Sequence, residues 1–379
     1  MNPYLGSWCV IRTSIASQPV LMKGCAVLFF HLIADVPVGV FLSSGIDSTV
    51  LTAVAAEMTS DLRTVTLGFE EFRGSPDDET VLAETTALHY GAKHETIWVD
   101  RNAFLDAFTS FFDQMDQPTV DGINTFLVSK AASLAGLKVA LSGLGGDELF
   151  GGYPSFAQIP RAVRCLRWAQ KVPYLASIFQ RSFGLVPESF ASPKFAGTLL
   201  YGGTFEGAYL LRRAMRLPAE ILKANFNGVD RDVIEVGLQR LLVLESLNKL
   251  HVDVQADLDK VSSLETSWYM RSQLLKDSDW ASMSHSVELR VPFVDRSLIE
   301  TVVALRSAGS WPTKLDLGKT PRSPLPSGIL NRAKTGFRVP IREWLLSGYG
   351  DPDATAESER GLRGWQRIVW DRCLAGSHT

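Results

Sequence analysis

The sequence predicts an α/β fold: a doubly wound, mostly parallel sheet with helices on both faces, followed by a helical C-terminal region. Three observations carry this. Short β-like runs alternate with helix-period runs from Asp35 to about Gly152, the pattern of a parallel sheet wrapped by crossover helices. Two of those runs empty into Ser- and Gly-rich turns at 43–48 and 142–153. Beyond about Pro154 the strand patterns fade and long helical stretches such as 233–249 and 263–275 take over.

Taken in order, strands are expected over 38–42, 63–69, 94–99 and 138–142, and helices over 48–58, 79–90, 101–112 and 123–134. The first 25 residues lack periodicity and read as an unassigned, poorly ordered leader. Residues 26–153 then form the α/β core and residues 154–379 a helical part packed on it.

With 379 residues, 46% of them hydrophobic, the chain can bury a sizeable core, and length alone allows about two or three domains. A net charge of −3 supplies no basic footprint, so nucleic acid is not expected as a partner. Cys9, Cys25, Cys165 and Cys373 are scattered without a CxxC pair and read as reduced thiols of a cytoplasmic protein. The apolar stretch 20–42 is interrupted by Lys23, His31, Asp35 and Pro37, whereas a spanning helix needs about 20 unbroken apolar residues. No basic cluster opens the chain and no clear cleavage site follows, so neither a signal peptide nor a membrane partner is expected.

The first turn carries the chemistry. Ser43, Ser44 and Gly45 let the backbone approach a ligand, and a helix opening at Ile46, Asp47 and Ser48 aims unpaired N–H groups at the same spot. Asp47 would repel a bare phosphate, but it fits if a divalent cation lies between carboxylate and phosphates. The second turn sets Asp147 and Glu148 among glycines at an adjoining strand end. Asp47 and Asp147 would then hold Mg²⁺ against a polyphosphate. An ordinary capped strand–helix turn and a plain flexible loop are the competing readings.

Two further blocks stand apart. In 278–295, Asp279, Glu288, Arg290 and Asp295 read as a structural ion-pair network, with His285 a structural histidine. In 331–340, Lys334 is either part of a solvated turn or, if the loop folds over the strand ends, a mobile cation able to neutralise developing charge.

Five blocks in order and spacing then identify a resemblance: DVPVGVFLSSGIDSTVL, TVTLGFEE with downstream DDET, ALSGLGGDELFGGY, SHSVELRVPFVD and NRAKTGFRVPIREW. The chain resembles the synthetase domain of glutamine-dependent asparagine synthetases and is also similar to β-lactam synthetases, from about Ala26 to Leu346. The resemblance implies an ATP-pyrophosphatase-type domain over 26–379 that activates a carboxylate, the aspartate side chain in the family, as an acyl-adenylate and amidates it with ammonia. By position, Ser43 to Ser48 would cradle pyrophosphate and Asp47 and Asp147 would hold Mg²⁺. Leu42, Leu67, Ser142 and Gly143 would line ATP, and Lys334 would steady charge on the adenylate or pyrophosphate.

Three departures from the family pattern matter. The nucleophilic N-terminal cysteine of the glutaminase half has no counterpart, since Asn2 is the second residue and Cys9 has no such context. Ammonia would therefore come free or from a separate glutaminase, or a different amine would serve, and a truncated copy fits as well. Leu144 stands where the family usually has Glu and can do no acid–base work, which opens the acid to readings other than aspartate. Ser44 stands where Gly is commoner, and a positive φ there would cost about 1 kcal/mol. A β-lactam-synthetase-like ligase on another acid, or a degenerate nucleotide-binding scaffold, are the alternatives; a homodimer is admissible.

Overall fold

The computed structural model describes residues 18–172, 174, 178, 193–222, 230–332, 339–346 and 362–376. Strands β1 (Val38–Phe41), β2 (Arg63–Phe69), β3 (Lys93–Val99) and β4 (Val139–Leu141) form close to the expected runs. A fifth strand, β5 (Glu288–Arg290), arises within the stretch read as helical. Val287-Glu288-Leu289-Arg290-Val291 alternates apolar and charged residues, a period of two that the reading as an ion-pair block passed over; pairing with β4 makes 288–290 a strand.

The sheet order is β3-β2-β1-β4-β5, with every neighbouring pair parallel. The chain winds outward from β1 to β3, then crosses back to β4 beside β1. Ligands in open α/β sheets bind outside the carboxyl ends of the strands where the winding reverses, and here that lies between β1 and β4. Their register, Val38 opposite Val139 through Val40 opposite Leu141, brings the two Ser- and Gly-rich turns out side by side.

Helices α2 (Ile46–Ala56), α3 (Thr80–His89), α4 (Arg101–Gln114) and α5 (Gly122–Leu134) follow the expected pattern. A helix α1 (Gln18–Leu32) begins inside the stretch read as an unordered leader; residues 1–17 lie outside the described residues. Its Val27 and Leu28 are buried with Val40 and Leu141 of the sheet, Val50, Leu51 and Val54 of α2, and Leu298 and Val302 of the helix Arg296–Ser307. Each such side chain contributes about 2 kcal/mol of burial. That gain, made with distant partners, outweighs the weak amphipathic pattern that hid α1. On another part of the core, Phe111 meets Phe126 and Trp280 with ring centroids 5.5 Å apart in each case.

The block 278–295 forms the expected polar network in part. Arg290 pairs with Glu288 at 2.7 Å and donates to the carbonyls of His31 and Ile33, each at 2.8 Å. Asp295 caps the helix Arg296–Ser307 by accepting from the Ser297 N–H at 2.8 Å, and lies 4.0 Å from His31. Asp279 joins no ion pair among the described residues. His285 rests edge-on against Phe126 with centroids 4.4 Å apart, and burial lowers its pKa.

The chain divides into two compact units, Met1–Gly152 with Gln273–Pro352, and Tyr153–Ser272 with Asp353–Thr379. The first contains the sheet. The second is helical: Ser155–Leu166 packs against Phe205–Arg213 and Asp257–Leu264. At its centre the fully buried Glu265 carboxylate accepts from Ser155 Oγ at 2.5 Å, Arg213 Nε at 2.9 Å and Tyr209 Oη at 3.3 Å. A buried carboxylate is tolerated only when paired and hydrogen-bonded in this way. The stretch 233–249, expected as one helix, breaks at Leu242 with φ of +42° into Arg231–Leu241 and Val243–Lys249. The stretch 263–275 is π-helical over Glu265–Leu274. Among the described residues no helix is long and apolar enough to cross a membrane.

Candidate active site

The first turn is built by its own hydroxyls. The Leu42 N–H donates to Val65 O at 2.9 Å and Thr66 Oγ1 donates to Leu42 O at 2.6 Å, pinning the end of β1 to β2. The Ser43 and Ser48 hydroxyls lie 2.9 Å apart, and the Gly45 N–H donates to Ser43 Oγ at 3.2 Å. Gly45 is the N-cap of α2, with an extended φ of −86° and no side-chain cap. The first N–H groups of α2 therefore lack the side-chain acceptor that usually occupies this position, which suits them to an anion. The strain anticipated at Ser44 does not arise. Among the described non-glycine residues only Leu242 and Ser286 have positive φ, and Ser44 is simply buried.

The second turn starts where the Ser142 N–H donates to Arg290 O at 2.9 Å, so β5 holds the end of β4. Gly145 turns the chain with φ of +91°, and the short helix α6 (Gly146–Phe150) presents Asp147. The two turns meet only because they are glycine-lined. A Cβ on Gly143 would lie 2.8 Å from Asp47 Cβ, and one on Gly146 would collide with the Asp47 carboxylate.

Where they meet stands a residue the sequence reading missed. Lys314 Nζ lies 3.0 Å from Asp147 Oδ1 and also pairs closely with Asp47 Oδ1. Its side chain is only 15% exposed. Burial opposes the ammonium charge, but Asp47 and Asp147 outweigh it and hold the Lys314 pKa above its ordinary value. Thr313 caps the helix Lys314–Leu317 in a capping box with Asp316, a T-x-x-D signature visible in the sequence. That signature locates the helix start; nothing local says that the next side chain reaches a turn 267 residues earlier in the chain.

Asp47 and Asp147 thus converge on one cationic point. A pair of hard carboxylate donors fits Mg²⁺, which is commonly held by one or two carboxylates together with substrate phosphates. Among the described residues no cluster of three or more His, Cys, Asp or Glu could hold a metal by itself.

A cleft opens at these strand ends. Of the residues picked from the sequence, Leu42, Ser43, Gly45, Asp47, Ser48, Leu67, Ser142, Gly143, Leu144 and Asp147 line it. Ser44 and Ile46 do not, and Lys334 lies outside the described residues. Glu79, Asn124, Thr125, Ser278 and Leu289 line it without having been foreseen. They come from α5, the start of α3, β5 and the helix Leu275–Met283, which only folding gathers.

The sequence model of the asparagine synthase family matches residues 30–357, most of the chain and both turns. The chain belongs to the asparagine synthase family. Among its relatives is asparagine synthetase [glutamine-hydrolyzing] 1 of Bacillus subtilis, 30% identical over 331 residues, covering 83% of this chain and 48% of the relative. A Mycobacterium tuberculosis protein provisionally named a glutamine-hydrolyzing asparagine synthetase is 30% identical over 84% of this chain and 47% of its own length. Amidase chry2 of Gibberella zeae is 23% identical over 83% of this chain and 51% of its own length. The chain spans about half the length of these relatives.

Proposed function

We propose that residues 26–379 activate a carboxylic acid with ATP and then amidate it. A carboxylate oxygen of the acid attacks the α-phosphorus, the bond to the β-phosphate oxygen breaks, and pyrophosphate leaves. Ammonia then attacks the acyl carbon, the bond to AMP breaks, and the nitrogen loses a proton to give the amide. The observation that carries this reading is the meeting of Asp47, Asp147 and Lys314 beside the N-terminus of α2 at the reversal of the sheet.

The N–H groups opening α2 bind the departing pyrophosphate, and the shaped turn 43–48 holds them in place before it forms. Leu42 and Leu67 offer apolar surface to the nucleotide, and Ser142 and Gly143, which line the same cleft, would border it from the end of β4. Lys314 carries a fixed positive charge at the junction of the turns, and we assign Lys334 a second cationic role from the segment 333–338. Asp47 and Asp147 would hold Mg²⁺, which when bound neutralises phosphate charge. Positioning and charge stabilisation of this kind supply most of what phosphoryl-type transfer asks of a protein.

The aspartate side chain is the acid the family resemblance favours, with ammonia free or delivered by a separate glutaminase. A second acid is favoured by one observation: Leu144 lines the cleft and offers no carboxylate to an incoming amine. The test is pyrophosphate release from ATP and Mg²⁺ with ammonium and each acid in turn. Release that depends on an acid supports the ligase. ATP binding without turnover on any acid would mark a scaffold instead.

A further inference from the structure

The cleft crosses the strand ends in the order β2, β1, β4, β5. Leu67 and Leu42 stand at its β2 and β1 side, where the nucleotide is assigned. The β4 and β5 side has groups that nucleotide binding leaves unused. Ser278 is 5% exposed, lines the cleft, and its hydroxyl has no hydrogen-bond partner among the described residues. Buried hydroxyls are nearly always satisfied, so an orphan hydroxyl on a residue that lines a cleft marks an unfilled hydrogen bond beside a ligand site. Leu144, which follows β4, and Leu289, on β5, line the cleft on this side as aliphatic surface.

We propose that Ser278, Leu144 and Leu289 form the acceptor-acid subsite, and that it takes a carboxylic acid with an uncharged body: aliphatic where it meets the leucines, with one hydroxyl or carbonyl group at Ser278. The proposal rests on the adenylation reading and chooses its acid. Ser278, Leu144 and Leu289 themselves offer no charge to the ammonium and second carboxylate of an aspartate; Asn124 and Thr125 of α5 are polar but neutral, and the cleft's carboxylates, Asp47, Asp147 and Glu79, stand at the two turns and at the start of α3. Charges shed water at great cost unless an opposite charge replaces it. An aliphatic chain gains from the same surface, and one polar group on it satisfies the Ser278 hydroxyl.

The experiment is acid-dependent exchange of labelled pyrophosphate into ATP, using the full chain with aspartate, butyrate and hydroxybutyrate as probes. Hydroxybutyrate is expected to support exchange at least about tenfold better than aspartate. Ser278→Ala should raise the KM for hydroxybutyrate by about tenfold while leaving the KM values for butyrate and ATP unchanged. Leu144→Glu should depress exchange with both uncharged acids and spare the KM for ATP, which keeps the proposal open to test should Ser278→Ala fold poorly. Preference for aspartate, with Ser278→Ala and Leu144→Glu both without effect on any acid, overturns this proposal alone. Absence of exchange with every acid overturns the adenylation reading and this proposal with it.

Discussion

Lys314 Nζ lies 3.0 Å from Asp147 Oδ1 and at the same time pairs with Asp47, so one ammonium ties the two turns together. The lysine does two things. It relieves the repulsion between carboxylates that the glycine-lined approach forces together, and it sets a positive charge where pyrophosphate would leave.

Lys314→Met should therefore cut acid-dependent pyrophosphate exchange on the order of 100-fold. Because it strands two partly buried carboxylates, it should also destabilise the fold by about 3 kcal/mol in urea unfolding. Wild-type exchange in a stably folded variant would remove Lys314 from the site.

Asp47→Asn tests the carboxylate pair from the other side. The amide keeps the shape of the turn but loses the charge, so Mg²⁺-dependent ATP binding or turnover should be abolished. Calorimetric titration of MgATP reads this directly, and wild-type affinity together with wild-type turnover would refute the assignment.

Asp277 gives a pH signature. Burial raises its pKa to about 6, against the opposing hydrogen bonds donated by Thr119 at 2.6 Å and Trp280 at 3.4 Å. The folded state holds this proton more tightly than the unfolded chain, whose ordinary value is 3.8. Its contribution to stability is therefore full below about pH 4, falls as pH rises to about 6, and is then flat at about 3 kcal/mol lower. Urea unfolding should show the stability of Asp277→Asn gaining on the wild type through that window and running parallel above it. A constant difference from pH 4 to 7 would contradict this.

Glu265 makes a prediction for the helical unit. Glu265→Ala leaves the Arg213 guanidinium, now 2.8 Å from the carboxylate, without its charge partner and should cost about 3–5 kcal/mol. A loss below about 1 kcal/mol in denaturant unfolding would show that the knot is not worth what its burial implies.

Leu242 offers the opposite sign. Its φ of +42° is a left-handed conformation that glycine adopts freely, and its side chain is 54% exposed. Leu242→Gly should gain about 1 kcal/mol, read as a shift in urea midpoint with unchanged slope.

The parallel sheet was legible because β1 to β4 fall on β-like runs of at least five residues, 38–42, 63–69, 94–99 and 138–142, alternating with the helix-period runs of α2 to α5. β5 was not, since the charges of Glu288 and Arg290 drew the reading to an ion-pair block, and the alternation Val287-Glu288-Leu289-Arg290-Val291 became a strand by pairing with β4. Helix α1 was hidden for a related reason: its stability comes from Leu298 and Val302, far along the chain. At the site, the turns at Asp47 and Asp147 announced themselves through small residues set beside a carboxylate. Lys314 and Ser278 carry no such local mark. One is an ordinary lysine after a helix cap, and the other an ordinary serine on a helix.

The sequence by itself determined the fold class, the family and the two turns, because strand period, helix period and glycine-rich turns are local properties of the chain. Only the tertiary structure decided what stands between those turns and at the far end of the cleft. The sheet order β3-β2-β1-β4-β5 brings the β1 and β4 ends together. Lys314, Ser278 and Leu289 reach those ends from distant segments. Charge pairing and an unfilled hydrogen bond are relations between residues, and they exist only once folding has made the residues neighbours.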